Sequence, residues 1–592
     1  MSFEATKNSR EWVLTRSRSA QWEDLRDEFE LHPLTARLLY QRGLGDLEAA
    51  HDFLNPSLGQ MIDPFKMKGM KRAVREILVA LDGGEHIVIH GDYDVDGVCS
   101  VSVLYSFLRA LGANVDYYIP NRDQDGYGVN AATVRRLAES GCDLLVTTDC
   151  GVSNVEEITL ARKLGMRVVV VDHHSVPDTL PPAHAILNPL QEDCDYGFTE
   201  MAAVGVAFNF VVAIRRELRT RGVFRHVKEP DVRNLLDLVA LGTIADVMPL
   251  VGQNRIYVRH GLEILAQRKR AGAAALLERV SRPDSGVNTQ TVSFGVAPRL
   301  NAAGRLGDAS ICVELLTTRS YSKALELAGR LESMNTERQE VERDIVEAAM
   351  PQAQQQIDDA RKILVVAGVD WPRGVLGIVA SRLMDRFHRP TIMAGIEDGV
   401  AKGSARSIDG IDILGVLDGA EELLNTYGGH TSAAGLSFDA EHLDALRDRL
   451  DQAATAQLRQ KPLPSPSVAI DGSIELGTLD DRFVRDLKRL EPFGMGNDEP
   501  IFMAPQSHAS RVRVVGKNHL RARFRDSTGV LDGIGFSLAE LEPLLEDPVA
   551  ITFAPRYSVF RGRGRLEMHV KDIRRSSNDV LDRVVEVDGP SE

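Results

Sequence analysis

Apolar and polar positions along this chain change period many times, and the changes mark out its elements. From about residue 73, short apolar runs alternate with stretches that carry an apolar residue every three or four positions. His86-Ile87-Val88-Ile89 predicts a buried strand, and Val98, Val101, Leu104, Tyr105, Leu108 and Leu111 predict the helix after it. Val115 to Ile119 predicts a strand, Ala131 to Ala138 a helix and Asp143 to Thr148 a strand. Val155 to Leu164 predicts a helix, and Arg167 to Val171 a strand. That order implies a doubly wound α/β domain with a largely parallel sheet, spanning residues 73–318. A helical lead, residues 1–72, precedes it, apolar at helical intervals from Leu34 to Leu44 and without recognisable chemistry. Residues 319–360 predict a long charged helix connecting to a second α/β domain, 361–460, which opens on a strand from Ile363 to Val366. Lys461 to Ser467 reads as a linker. Short strands at Val468–Ile470, Arg511–Val515, Leu520–Phe524, Val549–Phe553 and Leu566–Val570 then suit a small barrel over 468–575, before a loose polar tail, 576–592.

The polar residues gather where the apolar runs end. His90-Gly91-Asp92-Tyr93-Asp94-Val95-Asp96-Gly97 sits on a strand-to-helix turn, where open α/β sheets bind ligands. Its carboxylates repel one another and no Lys or Arg stands among them, which a divalent cation would relieve. A calcium EF-hand is excluded, because that loop needs an entering helix and a glutamate at its twelfth position. Leu144 to Thr148 ends in Asp149-Cys150-Gly151, where a lone Asp is as often a helix cap as a ligand. The Val168–Val171 run ends in Asp172-His173-His174, whose adjacent imidazoles point different ways, so one can bind metal while the other faces substrate. Asp246 breaks an apolar helical run that begins at Ala240, as a ligand does and as a hydrogen-bonded buried Asp does. Together His90, Asp94, Asp96, Asp149, His173 and Asp246 offer the mixed oxygen and nitrogen donors that suit a pair of Mn²⁺ or Mg²⁺ ions.

Composition sets limits. The 592 residues, 43% hydrophobic and 26% charged, make room for several cored domains. No apolar run approaches the ~18 residues of a membrane span. Five scattered cysteines, Cys99, Cys142, Cys150, Cys194 and Cys312, lack zinc-type spacing and fit a reduced, cytoplasmic setting. The net charge of −15 argues against a polyanionic partner until it is divided along the chain. Residues 501–575 hold 13 Lys+Arg against 8 Asp+Glu, a net +5, leaving −20 elsewhere. There Arg511 and Arg513, and Arg521, Arg523 and Arg525, alternate, so each set is expected on one strand face. Arg561, Arg563 and Arg565 would add a third row, with Phe524, Tyr557 and Phe560 to stack on bases. A merely solvated face looks the same in sequence.

The His90–Gly97 loop, Thr148-Asp149-Cys150-Gly151 and Asp172-His173-His174, in that order, resemble the DHH phosphoesterases, which are named for the third motif. From about Val74 to Arg575 the chain is most similar to the branch of bacterial single-strand-specific DNA exonucleases. The resemblance implies that His90, Asp94 and Asp149 hold one ion, and that Asp96, Asp149, His173 and Asp246 hold another. Asp92 would lie close beside them, His174 would face the scissile phosphate, and these two with Asp172 are the expected catalytic residues. Pro120 to Gly128, with Arg122, looks like the family's substrate loop. Pro298 to Arg305 looks like a compact loop in which Arg299, Asn301 and Arg305 grip phosphates. Trp371-Pro372-Arg373-Gly374-Val375 matches a further signature, except that the family often has His where Pro372 stands. Lys402 to Ser407 and Tyr427 to Gly435 resemble the DHH-associated domain, implying substrate contacts from Ser404, Arg406, Ser407, Gly429 and His430 across a cleft from the metals. The barrel resembles an oligonucleotide-binding fold.

The resemblance therefore implies a two-metal, single-strand-specific 5′-to-3′ exodeoxyribonuclease of DNA repair and recombination. Its expected partners are single-stranded DNA and, by the same resemblance, single-strand-binding protein and a helicase; a monomer away from membranes is expected. The rival enzyme is a phosphodiesterase of cyclic dinucleotides or short RNA, for which the basic barrel would be superfluous. A decayed DNA-binding scaffold is the non-enzymatic rival, against which the complete ligand set argues.

Overall fold

Ile87–Gly91 and Leu144–Thr148 are buried at every position, as strands covered on both faces must be, and Arg167–Val171 at all but its first. These three strands lie in a five-stranded parallel sheet ordered Val115–Tyr118, Ile87–Gly91, Leu144–Thr148, Arg167–Val171, Ala185–Leu187. The chain runs outward from Ile87–Gly91 to Val115–Tyr118, then crosses back to Leu144–Thr148 on the other side. The strand order therefore reverses between Ile87–Gly91 and Leu144–Thr148, and a crevice opens at their carboxyl ends. The expected elements are present within a few residues. The fifth strand was not predicted, because its three residues are too few to show a period.

The computed structural model describes residues 10–16, 21–122, 124–281, 286–459, 461–560, 563–576 and 584–588, without the side chains of 558–560, 563, 564 and 588. Arg561, and the side chains of Arg563 and Phe560, lie outside the described residues. Among the described residues no helix is long and apolar enough to cross a membrane. The chain forms two compact units.

The larger unit holds Leu14–Glu332, Ile470–Leu581 and Glu586–Glu592. Its barrel runs Phe502–Val515, His519–Arg525, Val530–Gly535, Arg563–Arg575, Val549–Phe560, and closes by pairing of Val549–Phe560 with Phe502–Val515. This closed five-stranded barrel is the expected oligonucleotide-binding fold with longer strands than the sequence marked. Ser467–Ile470, predicted as a barrel strand, instead pairs with Glu11–Arg16 in a separate three-stranded sheet. A further helix, Asp481–Leu490, went unpredicted beneath the barrel. Leu25, Leu38 and Leu39 of the N-terminal helices bury themselves with Phe483, Phe502, Leu520 and Phe553 in one core. The lead thus folds onto the barrel. His32 donates its amide to Asp486 Oδ2 at 2.6 Å. The buried Arg255 guanidinium donates to the carbonyls of Phe53, Arg489, Leu490 and Glu491 at 2.9–3.1 Å, tying the helix Gly252–Ala266 to that assembly.

The smaller unit comprises Ser333–Ala469 and short pieces from each end of the chain. Val585–Asp588 completes the three-stranded sheet, so this part of the tail is not loose. A mixed sheet is ordered Thr426–Gly429, Ala433–Asp439, Val400–Arg406, Thr391–Glu397, Leu364–Val369, with only the last two parallel. Pro372, extended at φ −63° and ψ 130°, is the residue before the helix Arg373–Phe387. The connecting helix is continuous from Tyr321 to Asp358.

Candidate active site

The helix after Ile87–Gly91 begins at Val95, three residues earlier than the apolar spacing marks, because Asp94 caps it. Its carboxylate accepts from the Gly97 amide at 2.9 Å, which satisfies one of the orphan donors of the first turn. Asp96 therefore lies on the helix and not in a loop. A Cβ on Gly97 would come within 2.5 Å of the Asp92 carbonyl, so only glycine permits so tight a return. Asp92 is held 5% exposed as a result. Asp149 follows Leu144–Thr148 in the left-handed region at φ 60°, a conformation that Asp tolerates better than most residues. Asp246 ends the buried helix Leu236–Ala245.

These turns bring the carboxylates together. Ligand atoms of Asp92, Asp94 and Asp149 lie within 4.8 Å of one another, as do those of Asp96, His173 and Asp246, and those of Asp149, His173 and His174. Asp149 and His173 each belong to two of these groups. His173 Nε2 stands 3.2 Å from Asp149 Oδ1, 3.7 Å from Asp246 Oδ2 and 4.0 Å from Asp96 Oδ2. Asp96 accepts from the amides of Ala203 and Val204 at 2.7 and 3.0 Å. His90 is not in the Asp92–Asp94–Asp149 group. It is wholly buried beside Cys150 and Tyr118, and its Nε2 has no hydrogen-bond partner.

Electrostatics sharpen the picture. Burial, and then the charge of Asp94, push Asp92 up to about 8 and Asp246 up to about 7. Burial and neighbouring carboxylates likewise drive Asp96 and Asp149 well above the usual range. Burial holds His173 and His90 down at about 4, which leaves their rings neutral and able to ligate. Asp92 Oδ1 and Asp149 Oδ1 are buried without a hydrogen bond. Unsatisfied oxygens, repelling carboxylates and neutral imidazoles, without a thiolate in any group, fit Mg²⁺ or Mn²⁺.

Asp172 organises the opposite wall. Its Oδ2 accepts from the Val152 amide at 3.0 Å. Its Oδ1 accepts from the amides of His173 and His174 at 2.8 and 3.2 Å, and lies 2.8 Å from His174 Nδ1. Burial raises the Asp172 carboxyl, but the His174 side chain and these amides outweigh it and hold it low. Burial lowers His174, but the hydrogen bond and charge of Asp172 outweigh it and raise it. His174 stands at the pocket edge, and its Nε2 lies 3.4 Å from the Tyr127 hydroxyl.

The pocket above holds about 460 Å³, and Asp92, Arg122, Tyr127, His174, Asn301 and Arg305 are among the residues lining it. Arg122 stacks 4.1 Å over Tyr93 and donates to the Gly304 carbonyl at 3.1 Å. Pro298 to Arg305, expected as a loop, belongs to the helix Ala297–Leu306, entered through a π-helical turn, Thr291–Val296. Pro298 at its N-terminus is allowed because the first amides of a helix have no partner. A Cβ on Gly304 would meet the Tyr93 carbonyl at 2.4 Å, so glycine lets this helix approach the acidic turn. Arg299 turns away, its fork taken by Glu332 at 2.6 and 3.0 Å. Tyr127 was missed as a site residue, although two flanking glycines marked its turn.

In the smaller unit, Arg406 donates to Ser404 Oγ at 3.1 Å and to the Ala405 carbonyl at 2.8 Å. Register sets Ser404 beside Gly435, and Arg406 beside Ala433. The Ser407 amide donates to the Ser432 carbonyl, and the His430 amide to that of Ala433. Gly429 has φ 151° and pairs with Ala434, while His430 is exposed.

On the barrel, Arg523 pairs with Asp532 at 2.7 Å and Arg521 with Glu567 at 3.4 Å, while Arg565 also meets Asp532. Arg511, at φ 53°, lies in a bulge between Ser510 and Arg513. The extra residue breaks the period of two, so Arg511 and Arg513 do not share a face as alternation predicts. Phe524 is 1% exposed, inside the barrel and not available to a base.

A parallel sheet delivering these carboxylates and imidazoles to its switch point defines a phosphoesterase of the DHH class. Residues 86–243 match the DHH family N-terminal domain, residues 360–456 the DHHA1 domain and residues 470–572 the RecJ OB domain. The chain is 38% identical to the single-stranded-DNA-specific exonuclease RecJ of Bacillus subtilis, over 96% of this chain and 72% of that protein. It is 36% identical to RecJ of Haemophilus influenzae, over 91% of this chain and 96% of that one. The crystal structure of Thermus thermophilus RecJ in complex with Mn²⁺ superposes with a TM-score of 0.81 at 30% identity, covering 96% of this chain and 80% of that one. A Mg²⁺ complex of the same protein gives 0.75 at 28% identity. This chain belongs to the RecJ family of single-stranded-DNA-specific exonucleases.

Proposed function

We propose that the chain hydrolyses single-stranded DNA from its 5′ end, releasing nucleotides, in DNA repair and recombination. The observation that carries this is the sharing of Asp149 and His173 between adjoining ligand groups. It supports two ions, Mn²⁺ or Mg²⁺: one held by Asp94 and Asp149 with His90 or Asp92, the other by Asp96, Asp149, His173 and Asp246. Such a pair, when bound, activates water and neutralises phosphoryl oxygens.

The chain's own groups do the rest. Asp172 orients His174, which donates a hydrogen bond toward the phosphate from Nε2. Arg122, Asn301 and Arg305 bind and position the strand from the pocket wall. The occupied fork of Arg299 gives it a supporting part, holding the helix Ala297–Leu306. Ser404, Arg406, Ser407, Gly429 and His430 would bind the terminal phosphate, and Arg513, Arg521 and Arg525 the strand beyond. Family resemblance supports single-strand-binding protein and a helicase as partners, and a cytoplasmic monomer. The 5′-to-3′ direction rests on the same resemblance.

One degradation assay tests this, using 5′- and 3′-labelled single strands, a circular single strand, a duplex and a cyclic dinucleotide, each with and without Mn²⁺. Cation-dependent mononucleotide release from the 5′ label of the linear strand is expected. Equal cutting of the circle, or preference for the cyclic dinucleotide, would overturn it.

A further inference from the structure

One aromatic group on the outer face of the barrel is presented to solvent by a structured turn. Phe536 follows the strand Val530–Gly535 and is 52% exposed. Two imidazoles pack steeply inclined to its ring: His519, with centroids 5.2 Å apart at 69°, and His569, at 5.3 Å and 67°. Beyond it the chain turns sharply. Ser537 adopts φ 57°, unusual for a residue with a side chain. The Ser537 amide donates to His519 Nδ1 at 3.2 Å, and the Ala539 amide to the Asn518 carbonyl at 3.1 Å. Leu538 is turned inward at 5% exposure. The turn is thus pinned by two hydrogen bonds and leaves the phenyl ring outside.

Register supplies the surroundings. Arg513 pairs with Arg521, Arg521 with Ile534, and Ile534 with His569, so these four share the outward face. Phe536 stands two residues on from Ile534, on the same side as its His569 clamp. Aromatic and guanidinium groups interleaved on one barrel face are what a single strand requires. The aromatic groups that the sequence nominated serve less well. Phe524 is inside the barrel, and the Tyr557 ring is already covered by the Lys488 ammonium at 4.2 Å.

Resting on the exonuclease function proposed above, we infer that Phe536 is a stacking platform for a base of the bound strand, with Arg513 and Arg521 holding the adjoining phosphates. The clamp fixes the ring in advance, so little freedom is lost on binding. Stacking needs only a π-face, so the site takes any of the four bases.

The test measures binding of the full chain by fluorescence anisotropy, with chelator present to prevent hydrolysis. One probe is a thymidine oligonucleotide and the other an abasic chain of equal length and charge. Phe536→Ala should weaken binding of the thymidine strand by about 5- to 100-fold, the range for one stacked base, and leave the abasic chain within about twofold. Phe536→Trp should bind the thymidine strand like wild type, with its indole fluorescence quenched. Unchanged affinity of Phe536→Ala for the thymidine strand overturns the inference. So does an equal loss on both probes, which marks a structural role. Hydrolysis of single strands by wild type keeps these outcomes separate from a failure of the proposed function.

Discussion

Replacing Asp172 by Asn tests whether this carboxylate, rather than a metal contact, organises the motif that bears its name. The side chain is 1% exposed and its two oxygens meet four donors: three backbone amides and His174 Nδ1. Asn keeps the shape but turns one oxygen into a donor. If its oxygen serves the three donors on the His173–His174 side, the Val152 amide is left facing an amino group. That orphaned buried donor costs about 1–3 kcal/mol. The remaining three bonds lose their charge assistance, roughly half their strength. Relief from burying a charge offsets part of this, so a local loss of about 2–5 kcal/mol is expected. Hydrogen exchange read by mass spectrometry suits a chain of two units, which need not unfold in one step. Peptides spanning Val152 and His173–His174 should exchange about 30- to 5000-fold faster, while the barrel peptides stay unchanged. Unaltered exchange at these amides would refute the network as the organiser.

Three other outcomes follow from the same geometry. Asp149→Asn should lower hydrolysis by more than the ~10–100-fold typical of a group merely supporting a ligand, and Mn²⁺ should raise the thermal midpoint of wild type but not of the variant; DNA affinity measured without cations is the control. Joint replacement of Arg521, Arg523 and Arg525 by Ala should reduce the salt slope of strand binding by about two counterions rather than three, because Asp532 already holds Arg523 at 2.7 Å. Burial and Arg556 hold His569 down at about 4, below the ~6.5 of an unfolded chain, so its contribution to stability is full above about pH 6.5 and falls as pH drops toward 4. In His569→Gln that acid limb should be shallower, as read by thermal midpoints across the range.

The sequence made the parallel sheet legible because its three central strands are runs buried on both faces, each followed by polar residues. The acids at those ends were visible for the same reason, since charge after an apolar run is conspicuous. What distance in sequence hides is pairing. Arg299 and Arg305 look equivalent, yet Glu332 on the connecting helix claims the first while the second lines the pocket. Asp92 looks like a bystander beside Asp94, but the return at Gly97 brings its oxygen into the ligand group. On the barrel, alternation predicted faces that a bulge at Arg511 then re-aimed. The arginine rows were counted without the acids on neighbouring strands. Phe536 had no signal at all, because one phenylalanine after a glycine says nothing about exposure.

The shared core of the first helices and the barrel has a consequence for how the chain is made. His32 and its hydrogen-bond partner Asp486 are 454 residues apart in sequence. At the ~5–20 residues per second of ribosomal synthesis, the N-terminal helices wait roughly 20 to 90 seconds for the surface that buries them. Helices this short hold little structure alone. Their apolar faces are therefore exposed throughout elongation, while the parallel-sheet domain that follows has all its strands and can fold first. The earliest part of the protein to emerge is among the last to be completed, and the burden on chaperones falls at the N-terminus.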